Sequence, residues 1–214
     1  MKFAGTNTSA TTISPTGIEV GVGVRSTSIQ KHHTTGPIKE TGNELDIAIA
    51  GKGFFQVQLP DGTIGYTRDG AFKKDETGQL TTSDGYPLIP NIVIPADATF
   101  VEIGNDGTVS VKQAGQIGSV NIGQIETALF INPAGLHSLG DNNYINTNAS
   151  GDPIVGVPGL EGRGQTKHKF LETANVQLVV EMTDLISGQR AYEAGSKAIT
   201  TSDEMLQTVN GLKR

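Results

Sequence analysis

The C-terminal segment, residues 175–210, carries an apolar repeat with a period of seven and contains no proline. Seven residues make about two turns of an α-helix, so this repeat places its side chains in one stripe along a helix. The stripe consists of Leu178, Leu185, Tyr192, Ile199 and Leu206, flanked by Met182, Ala191, Ala198, Met205 and Val209. The pattern predicts a single helix over residues 175–210, which is roughly 50 Å long. The average helix of a globular protein has only about 11–12 residues.

An apolar stripe of this length requires a second surface to cover it, because a helix gains most of its stability from packing its apolar face. No other segment of the sequence has a matching length and period. Gly188 and Gly195 each weaken the isolated helix by about 0.5–1 kcal/mol relative to alanine. Packing against other chains is therefore the favoured interpretation, and folding of the helix onto its own chain is the alternative.

Two roles are predicted for side chains of this segment. Asn175 precedes the stripe and is predicted to cap the N-terminus of the helix by accepting a bond from a free backbone N–H group. The predicted helix-packing residues are Leu178, Met182, Leu185, Tyr192, Ile199, Met205 and Leu206.

The middle of the chain has a different pattern, in which short alternating apolar runs are separated by turn signals. An Asp-Gly pair between two such runs is a strong signal for a β-hairpin, because glycine accepts the positive φ of a tight turn. Asp-Gly pairs occur at Asp61-Gly62, Asp69-Gly70, Asp84-Gly85 and Asp106-Gly107, and Thr77-Gly78 is a further turn signal. The predicted fold class is therefore mainly β, with an antiparallel β domain and one long C-terminal α-helix that packs as in a coiled coil.

The sequence divides into four segments by composition. Residues 1–44 are polar, so an N-terminal extended arm is predicted there, with one strand at Ile18–Val24, where apolar residues alternate. Residues 45–165 form the predicted antiparallel β domain. Residues 166–174 are the predicted linker, and residues 175–214 are the predicted long helix.

The composition argues against several classes of partner. The formal net charge is −6, and no cluster of Lys and Arg forms a basic face, so nucleic acid is not an expected partner. Cysteine is absent, which excludes disulfides and zinc–thiolate sites. No stretch approaches the roughly 18 apolar residues of a membrane span, and no membrane insertion is expected. The first residues lack the apolar core of a cleaved signal peptide.

The sequence offers no motif for catalysis, cofactor binding or metal binding. Gly51-Lys52-Gly53 lacks the Ser or Thr that follows the lysine of a phosphate-binding loop, and a tight turn before a strand is the favoured interpretation. Gly159–Gly164 opens no helix, so a flexible linker is predicted there instead of a dinucleotide site. The four histidines lack metal-ligand spacing. The chain is therefore predicted to be no enzyme and to need no cofactor.

Three classes of function remain open on these observations. A self-assembling structural subunit explains both the uncovered stripe and the lack of a chemical site. A secreted carbohydrate-binding β module explains the turn-rich middle but not the helix. A hydrolase requires a nucleophile and a base that the sequence does not supply.

Several stretches carry motifs in a defined order along nearly the whole chain. The helix contains the motif residues Asn175, Gln189, Arg190, Ala191 and Glu193. The β domain contains Asp46–Phe55, Tyr66–Phe72 and Pro158–Gly162. Together these stretches resemble the flagellar rod and hook protein family, and Thr16–Arg25 resembles the segment ahead of the β domain in the distal-rod members of that family.

The resemblance implies a structural subunit of the distal rod in the flagellar basal body, within the periplasmic space. Such subunits leave the cytoplasm through the flagellar export apparatus without a cleaved signal. They assemble helically into a hollow shaft that transmits torque from motor to hook, with terminal helices inside and β domains outside. The implied partners are copies of itself, other rod and hook proteins, and the surrounding periplasmic and outer-membrane ring proteins. A proximal-rod or hook subunit is the alternative.

One departure from the family pattern bears on the helix. Members of the family open with an N-terminal helix that bears an Asn-Asn-Leu-Ala-Asn-type motif, and this sequence has no such motif. The resemblance implies that this helix pairs with the apolar stripe, so the expectation is either that the chain is a truncated product or that its native start lies upstream of Met1.

Overall fold

The computed structural model describes part of the N-terminal region and nearly all of the remainder. The described residues are 31–115 and 118–211, residues 25, 27 and 30, and the backbone of 7–9 and 12–13. In the first of two compact units, strands β1 (Asn7–Ser9) and β2 (Thr12–Ile13) pair antiparallel. The strand predicted at Ile18–Val24 lies outside the described residues.

The second compact unit, His33–Arg214, contains a set of strands, which we call the β body, and a long helix. Its strands are β3 (Ile38–Glu40), β4 (Ile47–Ala50), β5 (Phe54–Gln58), β6 (Ile64–Thr67), β7 (Lys73–Lys74), β8 (Leu80–Thr81), β9 (Leu88–Ile89), β10 (Ala98–Ile103), β11 (Thr108–Gln113), β12 (Ser119–Gln124), β13 (Thr127–Leu129), β14 (His137–Gly140), β15 (Asn143–Ile145), β16 (Ile154–Gly156), β17 (Gln165–His168) and β18 (Phe170–Glu172). A 3₁₀ turn spans Pro133–Gly135, and helix α1 (Leu178–Gly211) follows β18. The predicted fold class, mainly β with one long C-terminal helix, is confirmed.

The largest sheet has seven strands in the order β14-β15-β6-β5-β13-β16, with β9 also paired to β5. All of these pairs are antiparallel. The predicted turn at Asp61-Gly62 joins β5 to β6, and Gly62 has the positive φ of 82° that the turn needs. A separate three-stranded sheet, β10-β11-β12, has the predicted turn at Asp106-Gly107 between its first two strands.

Two apolar cores lie on opposite faces of β5, because successive side chains of a strand point to opposite faces. Phe55 contacts Phe72 edge-to-face, with ring centroids 5.1 Å apart, in the larger core that also includes residues of β10 and β11. Phe54 contacts Phe130, whose ring also contacts Tyr66, in the smaller core. Both Phe54 and Phe55 are buried, so β5 is covered on both sides.

Two strand pairs extend the β structure beyond the predicted boundaries. β17 pairs antiparallel with β4, and β18 pairs antiparallel with β3. The prediction of a linker at residues 166–174 is therefore wrong, and the predicted extended arm at residues 1–44 contains β1, β2 and β3 among its described residues. Gly159–Gly164 is also not a flexible linker, because it contains the buried Arg163. We refer to the β3–β18 pair, which leads directly into α1, as the ribbon.

A fragment of residues 33–174 should fold cooperatively without α1, because it retains every strand of the β body. The shorter fragment 45–165 lacks the ribbon and nearly all of β17, which leaves β4 without its partner. We expect the shorter fragment to be markedly less stable. Circular dichroism and urea denaturation of both fragments test this, and a disordered spectrum for residues 33–174 would contradict it.

Three aspartates close turns through the same arrangement. Asp61, Asp75 and Asp106 each accept the backbone N–H and the hydroxyl of a threonine two residues later, at 2.6–3.1 Å. The hydroxyl bond is the main cause that lowers the pKa of each carboxyl below its ordinary value of 3.8. Since the folded pKa lies below the unfolded one, this stabilisation is complete above the unfolded pKa and is lost as pH falls through the folded pKa.

Removal of the three hydroxyls should reduce the acid sensitivity of the fold. We expect the triple variant Thr63→Val, Thr77→Val, Thr108→Val to lose less unfolding free energy than the parent between about pH 5 and about pH 2, the range in which aspartates titrate. Urea denaturation at several pH values measures the difference in slope. Equal slopes for the two proteins would show that these turns do not contribute to acid stability.

Candidate assembly surface

Helix α1 is 34 residues long, or about 50 Å at 1.5 Å per residue, as the repeat predicts. It begins at Leu178, three residues beyond the predicted cap, so the prediction of Asn175 as N-cap is wrong. The Asn175 side-chain amide instead donates to the backbone oxygen of Thr34 at 3.2 Å and to its hydroxyl at 2.9 Å. Asn175 therefore ties the start of the helical segment to the chain ahead of β3.

The apolar stripe of α1 is uncovered. Its five heptad residues are between 63% and 80% exposed, and none of the described side chains of the helix is buried. The predicted helix-packing residues all lie on this helix and are all exposed: Leu178, Met182, Leu185, Tyr192, Ile199, Met205 and Leu206. The alternative in which the helix folds back onto its own β body is not what the structure shows.

Several Ser and Thr hydroxyl groups of α1 donate hydrogen bonds to backbone oxygens of the same helix. The hydroxyl of Thr183 donates to the oxygen of Val179 at 2.7 Å, and Ser202 donates to Ala198 at 2.9 Å. Thr201 and Thr208 make the same bond to the residue four positions earlier. Because burial of an unpaired hydroxyl is costly, these internal bonds lower the cost of placing the helix against another apolar surface.

A notch lies between Leu185 and Tyr192 of the stripe, in the first half of the helix. Apart from its two chain neighbours and the nearby backbone of its own helix, nothing lies within 4 Å of the position where a Cβ of Gly188 would lie. The notch is lined by Leu185, Gln189, Tyr192 and Glu193. A gap of this kind between large side chains accepts a side chain from a second helix, as in knobs-into-holes packing.

The five motif residues occupy two places. Gln189, Arg190, Ala191 and Glu193 lie on exposed turns around the notch, and Asn175 lies at the base of the helix. The residues that join this base to the β body were not predicted as functional. Arg68 and Glu172 form an ion pair there, and Arg68 lies within the stretch Tyr66–Phe72 that carries the family resemblance.

The described residues show no group of His, Asp and Glu side chains that could hold a metal ion. Among the same residues, no helix is long and apolar enough to cross a membrane.

A β body followed by a long helix with an uncovered apolar stripe defines a subunit built for assembly with other chains. Two family models match the chain: the flagellar hook protein FlgE/F/G D1 domain over residues 48–111, and the flagellar basal-body rod FlgEFG protein C-terminal region over residues 167–212. The first match covers the β body from β4 into β11, and the second runs from β17 through α1.

Individual relatives cover nearly the whole chain. The flagellar basal-body rod protein FlgG of Buchnera aphidicola subsp. Schizaphis graminum is 49% identical over 212 residues, which are 99% of this chain and 82% of that protein. FlgG of Borreliella burgdorferi is 44% identical over 213 residues, covering 99% and 80% of the two chains. FlgF of Caulobacter vibrioides is 35% identical over 190 residues, which are 85% of this chain and 71% of that protein.

The chain therefore belongs to the flagellar basal-body rod protein family. It is a structural subunit of the flagellar rod, of the distal-rod type that its FlgG relatives represent, and its place is in the basal body. The resemblance found in the sequence is confirmed. The carbohydrate-binding and hydrolase alternatives have less support, because the relatives are structural proteins.

Proposed function

We propose that this chain polymerises with copies of itself into a helical, hollow tube that transmits torque from the motor to the hook. The observation that carries the proposal is the exposed apolar stripe of α1. The stripe packs against helices of neighbouring subunits in the inner wall of the tube, and the β body forms the outer layer.

The energetics favour association through α1. Full burial of one large apolar side chain contributes about 1.5–3 kcal/mol, so the five heptad residues supply about 10 kcal/mol before the entropic cost of association. The notch at Gly188 supplies a place for a knob from the neighbouring helix. A helical tube also requires heterologous contacts, in which different surfaces of identical subunits meet and do not close into a ring.

The proposed setting has three further parts. The tube crosses the periplasmic space, and its subunits reach it through the flagellar export apparatus without a cleaved signal peptide. Its axial neighbours are other rod and hook proteins, and its lateral neighbours are the periplasmic and outer-membrane ring proteins. The proposed role requires neither catalysis nor a cofactor, and neither nucleic acid nor membrane insertion.

Sedimentation velocity across a concentration series tests self-assembly. We expect species larger than the monomer to grow with protein concentration and to appear as tubes or short filaments by electron microscopy. A monomer at all concentrations, or a monomer that responds to added oligosaccharide, would contradict the proposal. The fragment of residues 33–174 is the control, because it lacks α1 and should remain monomeric.

A further inference from the structure

The side chain of Arg68, directly after β6, uses all of its N–H groups. Its Nε donates to Glu172 Oε2 at 2.9 Å, and its Nη2 donates to the same oxygen. Its Nη1 donates to the backbone oxygens of Gly51 and Gly53 at 2.7 and 2.8 Å, and its Nη2 also reaches the oxygen of Ile49 at 3.4 Å. A guanidinium has five donors, and each of them has a partner here.

The second oxygen of Glu172 has a different partner. Oε1 accepts the backbone N–H of Gly36 at 2.8 Å. Glu172 is the last residue of β18, and Gly36 precedes β3, so this carboxylate holds both chains of the ribbon where they meet. Arg68 connects the same carboxylate to the turn between β4 and β5 in the β body.

Close backbone contact reinforces this junction. A Cβ at Gly36 would lie 2.0 Å from the backbone oxygen of Thr173, so only glycine fits at this position. The backbone N–H of Thr173 donates to Pro37 at 2.9 Å, and Asn175 donates to Thr34. The chain is therefore held on both sides up to Asn175, three residues before α1 begins.

We propose that Arg68 and Glu172 act as a clamp that sets the direction in which α1 leaves the β body. Arg68 fixes the ribbon to the Gly51–Gly53 turn, and Glu172 fixes the two chains of the ribbon to each other. The terminal helix then extends from a rigid support. Arg68 and Glu172 are positioning residues, because they act through the ribbon and lie outside the apolar stripe.

The burial of the pair distinguishes the clamp from an ordinary surface ion pair. The side chains of Arg68 and Glu172 are 20% and 12% exposed. In the Arg163–Glu161 pair of the same chain, Glu161 is 75% exposed. Arg163 is 3% exposed, but it also donates to the backbone oxygens of Leu160 and Ile154, so it keeps partners without Glu161. Exposed pairs contribute little, whereas removal of one partner from a largely buried pair leaves a charge with unmet hydrogen bonds. Glu161 therefore offers a matched control for Glu172.

The absence of cysteine from the sequence allows a direct test by spin labelling. Labels at Lys112→Cys on the β body and Glu193→Cys, fifteen residues into α1 and off the stripe, report the direction of the helix by pulsed electron resonance. We expect one narrow distance distribution in the otherwise native chain, and a broad or shifted distribution in Arg68→Ala and Glu172→Gln. Arg68→Lys should not restore the narrow distribution, because an ammonium group has three donors and no planar fork.

The control Glu161→Gln should leave the distribution unchanged. Should Arg68→Ala fail to fold, Glu172→Gln decides the question, because glutamine keeps the size of the side chain and one acceptor oxygen. Hydrogen exchange gives a second measure: the amides of Gly36 and Thr173 should exchange about tenfold faster in Glu172→Gln, since charge-assisted bonds are lost, with β11 unchanged. A native distribution and native exchange in Glu172→Gln would overturn the clamp. Both measurements use the unassembled chain, so they can fail independently of the proposed tube.

Discussion

Replacement of Leu185 or Ile199 by aspartate should abolish rod assembly and leave the β body folded. Both side chains lie in the exposed stripe of α1, and neither contributes to a core of the β body. An aspartate that stays ionised in a desolvated helix–helix seam costs several kcal/mol, and every subunit of the tube would carry it. Tyr192→Asp should have the same effect. Each variant is expressed in a bacterial strain from which the native rod protein has been deleted. Swimming assays and electron microscopy of isolated basal bodies then measure rod assembly.

Lys197→Asp is the matched control for these variants. Lys197 lies five residues after Tyr192, which places it about 140° around the helix from the stripe. We expect near-normal assembly from Lys197→Asp and from Glu193→Ser. Normal rods from Leu185→Asp and Ile199→Asp would show that α1 packs through another face, and the proposed role of the stripe would then be wrong.

Replacement of Gly70 by alanine should lower the free energy of unfolding by roughly 3 kcal/mol or more, the range of severe single substitutions. A Cβ at Gly70 would lie 1.7 Å from the backbone oxygen of Ile47. The backbone N–H of Ile47 also donates to the oxygen of Gly70 at 3.0 Å, so the two backbones are held together. Ile47 is fully buried in the larger core, which prevents β4 from moving away.

Gly62→Ala provides the comparison for Gly70→Ala. Gly62 has a φ of 82°, but nothing lies within 4 Å of its Cβ position. Its replacement should cost about 1–2 kcal/mol, which is the cost of the left-handed conformation alone. Urea denaturation of both variants separates backbone strain from steric overlap. A loss for Gly70→Ala no larger than that for Gly62→Ala would contradict the close approach to Ile47.

The existence of α1 and its exposed stripe could be predicted because a heptad repeat is a local property of the sequence. The start of the helix could not be predicted to the residue. Asn175 has the side chain of a helix cap, but it binds Thr34, which lies 141 residues earlier. A partner so distant leaves no mark in the neighbouring sequence, so local capping rules placed the helix start three residues too early.

The strands next to α1 were missed for a related reason. β17 reads Gln-Thr-Lys-His, in which no apolar alternation marks a strand. Its Thr166 is nevertheless fully buried and pairs with Ile49 of β4. The ion pair of Arg68 and Glu172 spans 104 residues of sequence, and only the folded chain brings its two members together. The signals at Asp61-Gly62, Thr77-Gly78 and Asp106-Gly107 predicted hairpins correctly, because both strands of a hairpin are neighbours in sequence. The signal at Asp69-Gly70 did not, since β6 and β7 on either side of it pair with other strands.

Strand β5 is covered on both faces, and this bears on how the protein can change during evolution. Phe54 and Phe55 belong to different cores. A substitution at either position disturbs the packing of one core, and β5 cannot shift to compensate because the other core is close-packed against its opposite face. The edge strands β14 and β16 carry exposed side chains on the same sheet. Sequence divergence among rod subunits should therefore accumulate in the edge strands of this sheet, where exposed side chains can change without disturbing a core. The central strand β5 should diverge least.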